Sequence, residues 1–100
     1  MGFAIDWTET ALEDLADLVR FIAEDDPEAA LRVGGEVIDH VGILSTFPEI
    51  GPVFRQRPMG VIRQITCRPV RIFYRVHGEA ERVEILHGWH GARRDPEELG

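Results

Sequence analysis

Lysine is absent, so all eleven basic side chains are arginines. Chemistry that runs through a lysine amine, a Schiff base for example, is thereby excluded. Arginine offers instead planar, permanently charged, bidentate contacts to phosphate or carboxylate. A single cysteine, Cys67, excludes an internal disulfide framework and a cysteine-rich metal site, and a lone cysteine reads as a small core residue. No apolar run approaches the roughly 18 residues that a membrane span needs. The start "MGFAIDWTETALEDL" has neither the basic opening nor the sustained apolar stretch of a secretory signal. The expectation is a cytoplasmic protein with no membrane partner. One hundred residues suffice for one domain with a modest core, so residues 1–100 are read as a single domain.

The net charge of -7 argues against nucleic acid as a general partner, but the charge is unevenly placed. The first fifty residues hold 12 Asp and Glu against 2 Arg, giving -10, and the last fifty hold 6 against 9, giving +3. Acid collects in one half and arginine in the other.

"FAIDW" alternates Phe3, Ile5 and Trp7 with Ala4 and Asp6, the period of a half-buried strand. Thr8 is placed to cap a helix whose Leu12, Leu15, Val19 and Ile22 recur at helical spacing. Asp26 followed by Pro27 starts a second helix, which buries Ala30, Val33, Val37, Val41 and Leu44 and stops by Phe47, before Pro48. Gly34 and Gly35 inside that helix each cost roughly 1 kcal/mol against alanine. Either close helix approach or a kink accounts for them. Val61–Cys67, Val70–His77 and Arg82–His87 then read as strands joined by short turns, which makes them antiparallel. The expected fold is α+β: an N-terminal strand and a two-helix hairpin packed on one face of a small antiparallel sheet, in the order β-α-α-β-β-β.

In "VRIFYRVH", Val70, Ile72, Tyr74 and Val76 point toward the helices, leaving Arg71, Phe73, Arg75 and His77 on the uncovered face. Arginines interleaved with an aromatic suit phosphate contacts with stacking, or a protein partner of matching acidic and apolar character. On the next strand Val83, Ile85, His87 and Trp89 share the core-facing parity, so His87 is expected to be hydrogen-bonded structure. With His40, His77 and Cys67 placed on different elements, no ligand cluster forms around His87 and His90, and neither a metal nor a cofactor is expected. His90 lies between Gly88 and Gly91 at a corner where Arg93 and Arg94 follow, and Asp95–Pro96 can open a very short terminal helix.

Taken together, "TALEDLADLVRFIAEDDPEAA", "LSTFPEIGP", "VRIFYRV" and "VEILHGWHGARRDP" resemble, in this order and spacing, the RelE/ParE superfamily of bacterial toxins from type II toxin–antitoxin modules, over nearly the whole chain. The resemblance implies a growth inhibitor neutralised by a cognate antitoxin in a toxin–antitoxin hetero-oligomer. RelE-like members cleave mRNA on the ribosome, and ParE-like members poison DNA gyrase. Were this chain RelE-like, the resemblance would assign catalysis to Arg63, Arg71 and Arg93. The pattern then departs, because there is no lysine and no tyrosine follows Tyr74.

Cleavage by a 2'-hydroxyl needs a proton acceptor and a proton donor, and arginine serves poorly as the acceptor. The reading therefore leans to the ParE side, and whether the chain is an enzyme follows the branch: an endoribonuclease if RelE-like, none if ParE-like. The alternatives are a ribosome-dependent endonuclease that recruits His77, His87 or His90, and a non-toxic module that only binds a partner. The antitoxin or target is expected at Arg71, Phe73, Arg75, His77, His90, Arg93 and Arg94, through an acidic, partly disordered segment.

Overall fold

The computed structural model describes residues 2–58 and 60–90. Its elements are β1 (Ala4–Trp7), α1 (Glu9–Ala23), α2 (Pro27–Val41), a 3-10 turn (Gly42–Ser45), β2 (Val53–Arg57), β3 (Gly60–Cys67), β4 (Val70–His77) and β5 (Arg82–His90). The expected terminal helix at Asp95–Pro96 lies outside the described residues. No helix among them is long and apolar enough to cross a membrane.

Both helix starts follow from their capping residues. Thr8 is extended, its Oγ1 accepts the Ala11 N–H at 3.1 Å, and its hydroxyl donates to the Ile85 carbonyl at 2.7 Å. One side chain thus caps α1 and ties it to β5. Asp26 accepts the Ala29 N–H at 3.1 Å with Pro27 at the first helical position.

The sheet runs β1-β5-β4-β3-β2. β2, β3, β4 and β5 pair antiparallel, as their short connections require, whereas β1 lies parallel to β5. The chain between β1 and β5 passes through both helices and three strands, long enough to return in the same direction. The sheet is therefore five-stranded and mixed, with β2 as an additional edge strand. The α+β architecture, with both helices on one face, is as the sequence predicts.

The main core joins Ala11 and Leu18 of α1 and Val37, Val41 and Leu44 of the α2 region to Ile65, Val70, Ile72, Tyr74, Val83 and Ile85 of the sheet. Burial of each large aliphatic contributes roughly 1.5–3 kcal/mol. The second helix buries the expected residues, with Val33 half-buried. The first differs at two positions: Leu12 is 51% exposed, and Ala11 and Leu18 take the places expected of Leu12 and Val19 beside Leu15 and Ile22. Val19 turns to the partner helix instead, where a Cβ on Gly34 would lie 3.2 Å from its Cγ2. Close helix approach thus accounts for Gly34. It does not account for Gly35, which faces open space.

Candidate interaction face

The face of the sheet turned away from the helices carries a second, smaller core. Ile62 and Phe73 are fully buried, with Phe54, Leu86 and Trp89 packed around them. Phe73 was expected among the exposed residues, and the structure corrects this. Phe54 meets it edge-on at 4.7 Å between centroids, and the Arg71 guanidinium carbon lies 5.4 Å from its ring centroid. Side chains of this one face cover Phe73 without help from the helices.

Two irregularities build that core. The β2–β3 register shifts between Val53 and Arg55, so Phe54 is an extra residue and reaches Phe73. On β5, Tyr74 pairs with Ile85 but Phe73 with His87, so Leu86 is extra there. Each such bulge inverts the side-chain alternation beyond it. Trp89, expected to face the helices, stands opposite Arg71 and packs with Phe73 instead.

Arginines ring the small core. Arg55 lies 4.9 Å from the Phe54 centroid, and Arg57 shares its strand face. The Arg75 Nη1 is 3.8 Å from Glu84 Oε1, and His77 Nε2 meets the same oxygen at 3.0 Å. Arg82 pairs with Asp6 of β1. The helices carry the opposite charge on their exposed surface, through Glu9, Glu13, Asp17, Glu24, Glu28, Glu36 and Asp39. The charge division seen in the sequence has become a division between two sides of the molecule.

The predicted site residues separate accordingly. Arg71, Phe73, Arg75 and His77 share the outer face. Arg63 stands on the other, opposite Tyr74, and its Nη1 donates to Gly51 O at 2.9 Å and Glu49 O at 3.3 Å. The fully buried Tyr74 accepts the Gly51 N–H at 3.0 Å through its hydroxyl oxygen. Burial pushes the Tyr74 pKa up, although the Gly51 hydrogen bond and then Arg63 pull against it. A Cβ on Gly51 would collide with Gln64 O and Tyr74 Oη, so this corner needs glycine. His90 pairs with Val70 and its ring lies 6.2 Å from Phe21 of α1, on the helix side. Arg93 and Arg94 lie outside the described residues.

His87 is hydrogen-bonded as expected: its Nδ1 is 3.0 Å from Asp14 Oδ2, the oxygen that also accepts the Gly88 N–H at 3.1 Å. Cys67 is half-buried with its Sγ 3.8 Å from Glu36 O, and burial, aided by Glu36, raises its thiol pKa, the reverse of what activates a nucleophile. Phe54, Arg55, Arg57, Ile62 and Asp14 were not singled out from the sequence. The outward parity of Ile62 beside Leu86 and Phe73 was the available signal for a second core.

Residues 5–95 match the family described as the ParE toxin of the type II toxin–antitoxin system parDE. A Sinorhizobium fredii (strain NBRC 101917 / NGR234) protein named "Putative toxin Y4kP" is 31% identical over 85 residues, covering 83% of this chain and 85% of the relative. The fold is similar to a chain from the chromosomal ParDE toxin–antitoxin system of P. aeruginosa, with a TM-score of 0.71, 22% identity, and 88% and 95% of the two chains covered. It is also similar to a chain of the toxin–antitoxin complex RelBE2 from Mycobacterium tuberculosis, with a TM-score of 0.64, 26% identity, and 91% and 100% covered. The chain belongs to the ParE toxin family, within the RelE/ParE superfamily, and is a toxin of a type II toxin–antitoxin system with an antitoxin as its partner.

Proposed function

We propose that this toxin acts by binding, as a ParE-like poison of DNA gyrase, and that its arginine-ringed outer face, with Arg93 and Arg94, is the surface its antitoxin covers. The observation that carries the reading is the separation of Arg63 from Arg71. A ribonuclease built on Arg63, Arg71 and Arg93 needs these groups around one phosphate. Arg63 is instead spent on the Glu49 and Gly51 carbonyls across the sheet.

The histidines support the same reading. His77 is six residues along β4 from Arg71, a span of about 20 Å at ~3.3 Å per residue. His90 lies against α1, and the His87 side chain is only 12% exposed with its Nδ1 on Asp14. General acid–base work on RNA requires such a group within hydrogen-bond reach of the reacting oxygens.

An acidic segment carrying apolar side chains fits the outer face: carboxylates to Arg55, Arg57, Arg71 and Arg75, and an apolar anchor against Trp89 and Leu86. Replacing Arg71 and Arg75 together by alanine should lower antitoxin affinity at low salt by at least about tenfold, or ~1.4 kcal/mol. Undiminished affinity contradicts the assignment of this face. Gyrase supercoiling measured beside primer extension on ribosome-bound transcripts separates the two modes of toxicity.

A further inference from the structure

Asp14 projects from α1 to the end of β5 that β1 does not reach, because β1 pairing stops at Trp7 opposite Ile85. There its Oδ2 accepts two hydrogen bonds, from the Gly88 N–H at 3.1 Å and from the His87 Nδ1–H at 3.0 Å. A carboxylate only accepts, so Nδ1 carries the proton. Both bonded residues immediately follow Leu86, the extra residue of the β5 bulge. Without the bulge, Leu86 would face Phe73, His87 would face Ile72, Gly88 would face Arg71, and Trp89 would face Val70. The indole would then point to the helices and leave the outer face, because a one-residue slip exchanges the two sides of a strand.

We propose that Asp14 is a positioning residue for the outer face: by holding Gly88 and His87 it fixes the β5 bulge, and the bulge sets Trp89 beside Phe73 and opposite Arg71. The group that shapes the binding surface thus sits in the helix layer on the other side of the sheet. Space at the bulge agrees with this. A Cβ at Gly88 would already lie 3.4 Å from Val70 Cγ2, 3.6 Å from Ile72 Cδ1 and 3.7 Å from Asp14 Cβ. In the slipped register an imidazole would have to enter that position. Asp14 holds the residue that fits there and draws the larger ring aside, and a bulge commonly re-aims a side chain in this way. The consequence for binding rests on the outer face being the antitoxin surface, whereas the consequence for Trp89 does not.

The test compares Asp14→Ala with Asp14→Asn, whose amide oxygen retains an acceptor. Proton NMR contacts of the Trp89 indole and affinity for the cognate antitoxin are read on each. Asp14→Ala should lose the Trp89–Phe73 contact and at least about tenfold in affinity, and Asp14→Asn should restore the contact and most of the affinity. Asp14→Ala that is merely less stable, with the Trp89–Phe73 contact and affinity intact, overturns the proposal. If Asp14→Ala does not fold, amide exchange in the unaltered protein decides: the Gly88 N–H should exchange slowly although, among the described residues, no strand pairs with it on that side, and fast exchange overturns the proposal. The Arg71/Arg75 double variant keeps the two readings apart. If it binds normally while Asp14→Ala displaces Trp89, the positioning role stands and the assignment of the binding face fails.

Discussion

Arg63 and Arg71 stand on opposite faces of one sheet. Arg63 faces the helix side beside Tyr74 and holds the Gly51 carbonyl at 2.9 Å, while Arg71 lies on the outer side with its guanidinium carbon 5.4 Å from the Phe73 centroid. Two side chains that a superfamily resemblance assigns to one phosphate therefore have different work, and their variants should separate.

Arg63→Ala should behave as a stability variant. It removes a charged donor from two carbonyls, and because the side chain is 22% exposed the expected cost is about 1–2 kcal/mol. Denaturant unfolding should show this loss while antitoxin affinity stays within about twofold, equivalent to less than ~0.5 kcal/mol. Unchanged stability together with lost affinity would place Arg63 in the interface.

Tyr74 supplies a pH test. A phenol whose pKa is raised in the folded state holds its proton more tightly there than in the unfolded chain, so its contribution is complete below the unfolded value of about 10 and is lost as pH rises through the folded value. It is the only tyrosine in the chain, so its ultraviolet titration is read without overlap from another. The ionisation should shift to lower pH on unfolding. Tyr74→Phe should weaken the alkaline loss of stability and, by leaving the Gly51 N–H without its acceptor, cost about 1–2 kcal/mol near neutral pH.

The paired glycines of α2 should respond differently. A Cβ on Gly35 meets nothing within 4 Å, so Gly35→Ala should raise stability by about 0.5–1 kcal/mol. Gly34 lies against Val19, and Gly34→Leu should force the helices apart and lower the thermal midpoint. Equal effects at the two positions would contradict the packing described for the hairpin.

These contrasts mark where the sequence was legible. Thr8 and Asp26–Pro27 announced both helices because a capping side chain and a proline at the first turn act locally, and the α2 stripe followed from spacing alone. Leu12 was misplaced since Leu12–Leu15–Val19–Ile22 and Ala11–Leu15–Leu18–Ile22 both have helical spacing, and only packing against α2 and the sheet decides which stripe is covered. The direction of β1 depends on its pairing with a strand more than seventy residues away. The side of Trp89 and the cover over Phe73 escaped the sequence for one cause. Alternation predicts which side a residue faces only while the register is unbroken, and the bulges at Phe54 and Leu86 depend on neighbouring strands. The acidic helix layer and arginine-rich sheet, in contrast, were already visible in the halves of the chain.

The most direct test of binding without cleavage is to incubate the purified toxin with gyrase and relaxed DNA and, in parallel, with ribosomes translating a defined transcript. Loss of supercoiling with accumulation of the gyrase–DNA cleavage complex, and an intact transcript, is the predicted result. A transcript cut on the ribosome while gyrase supercoils normally would contradict the account.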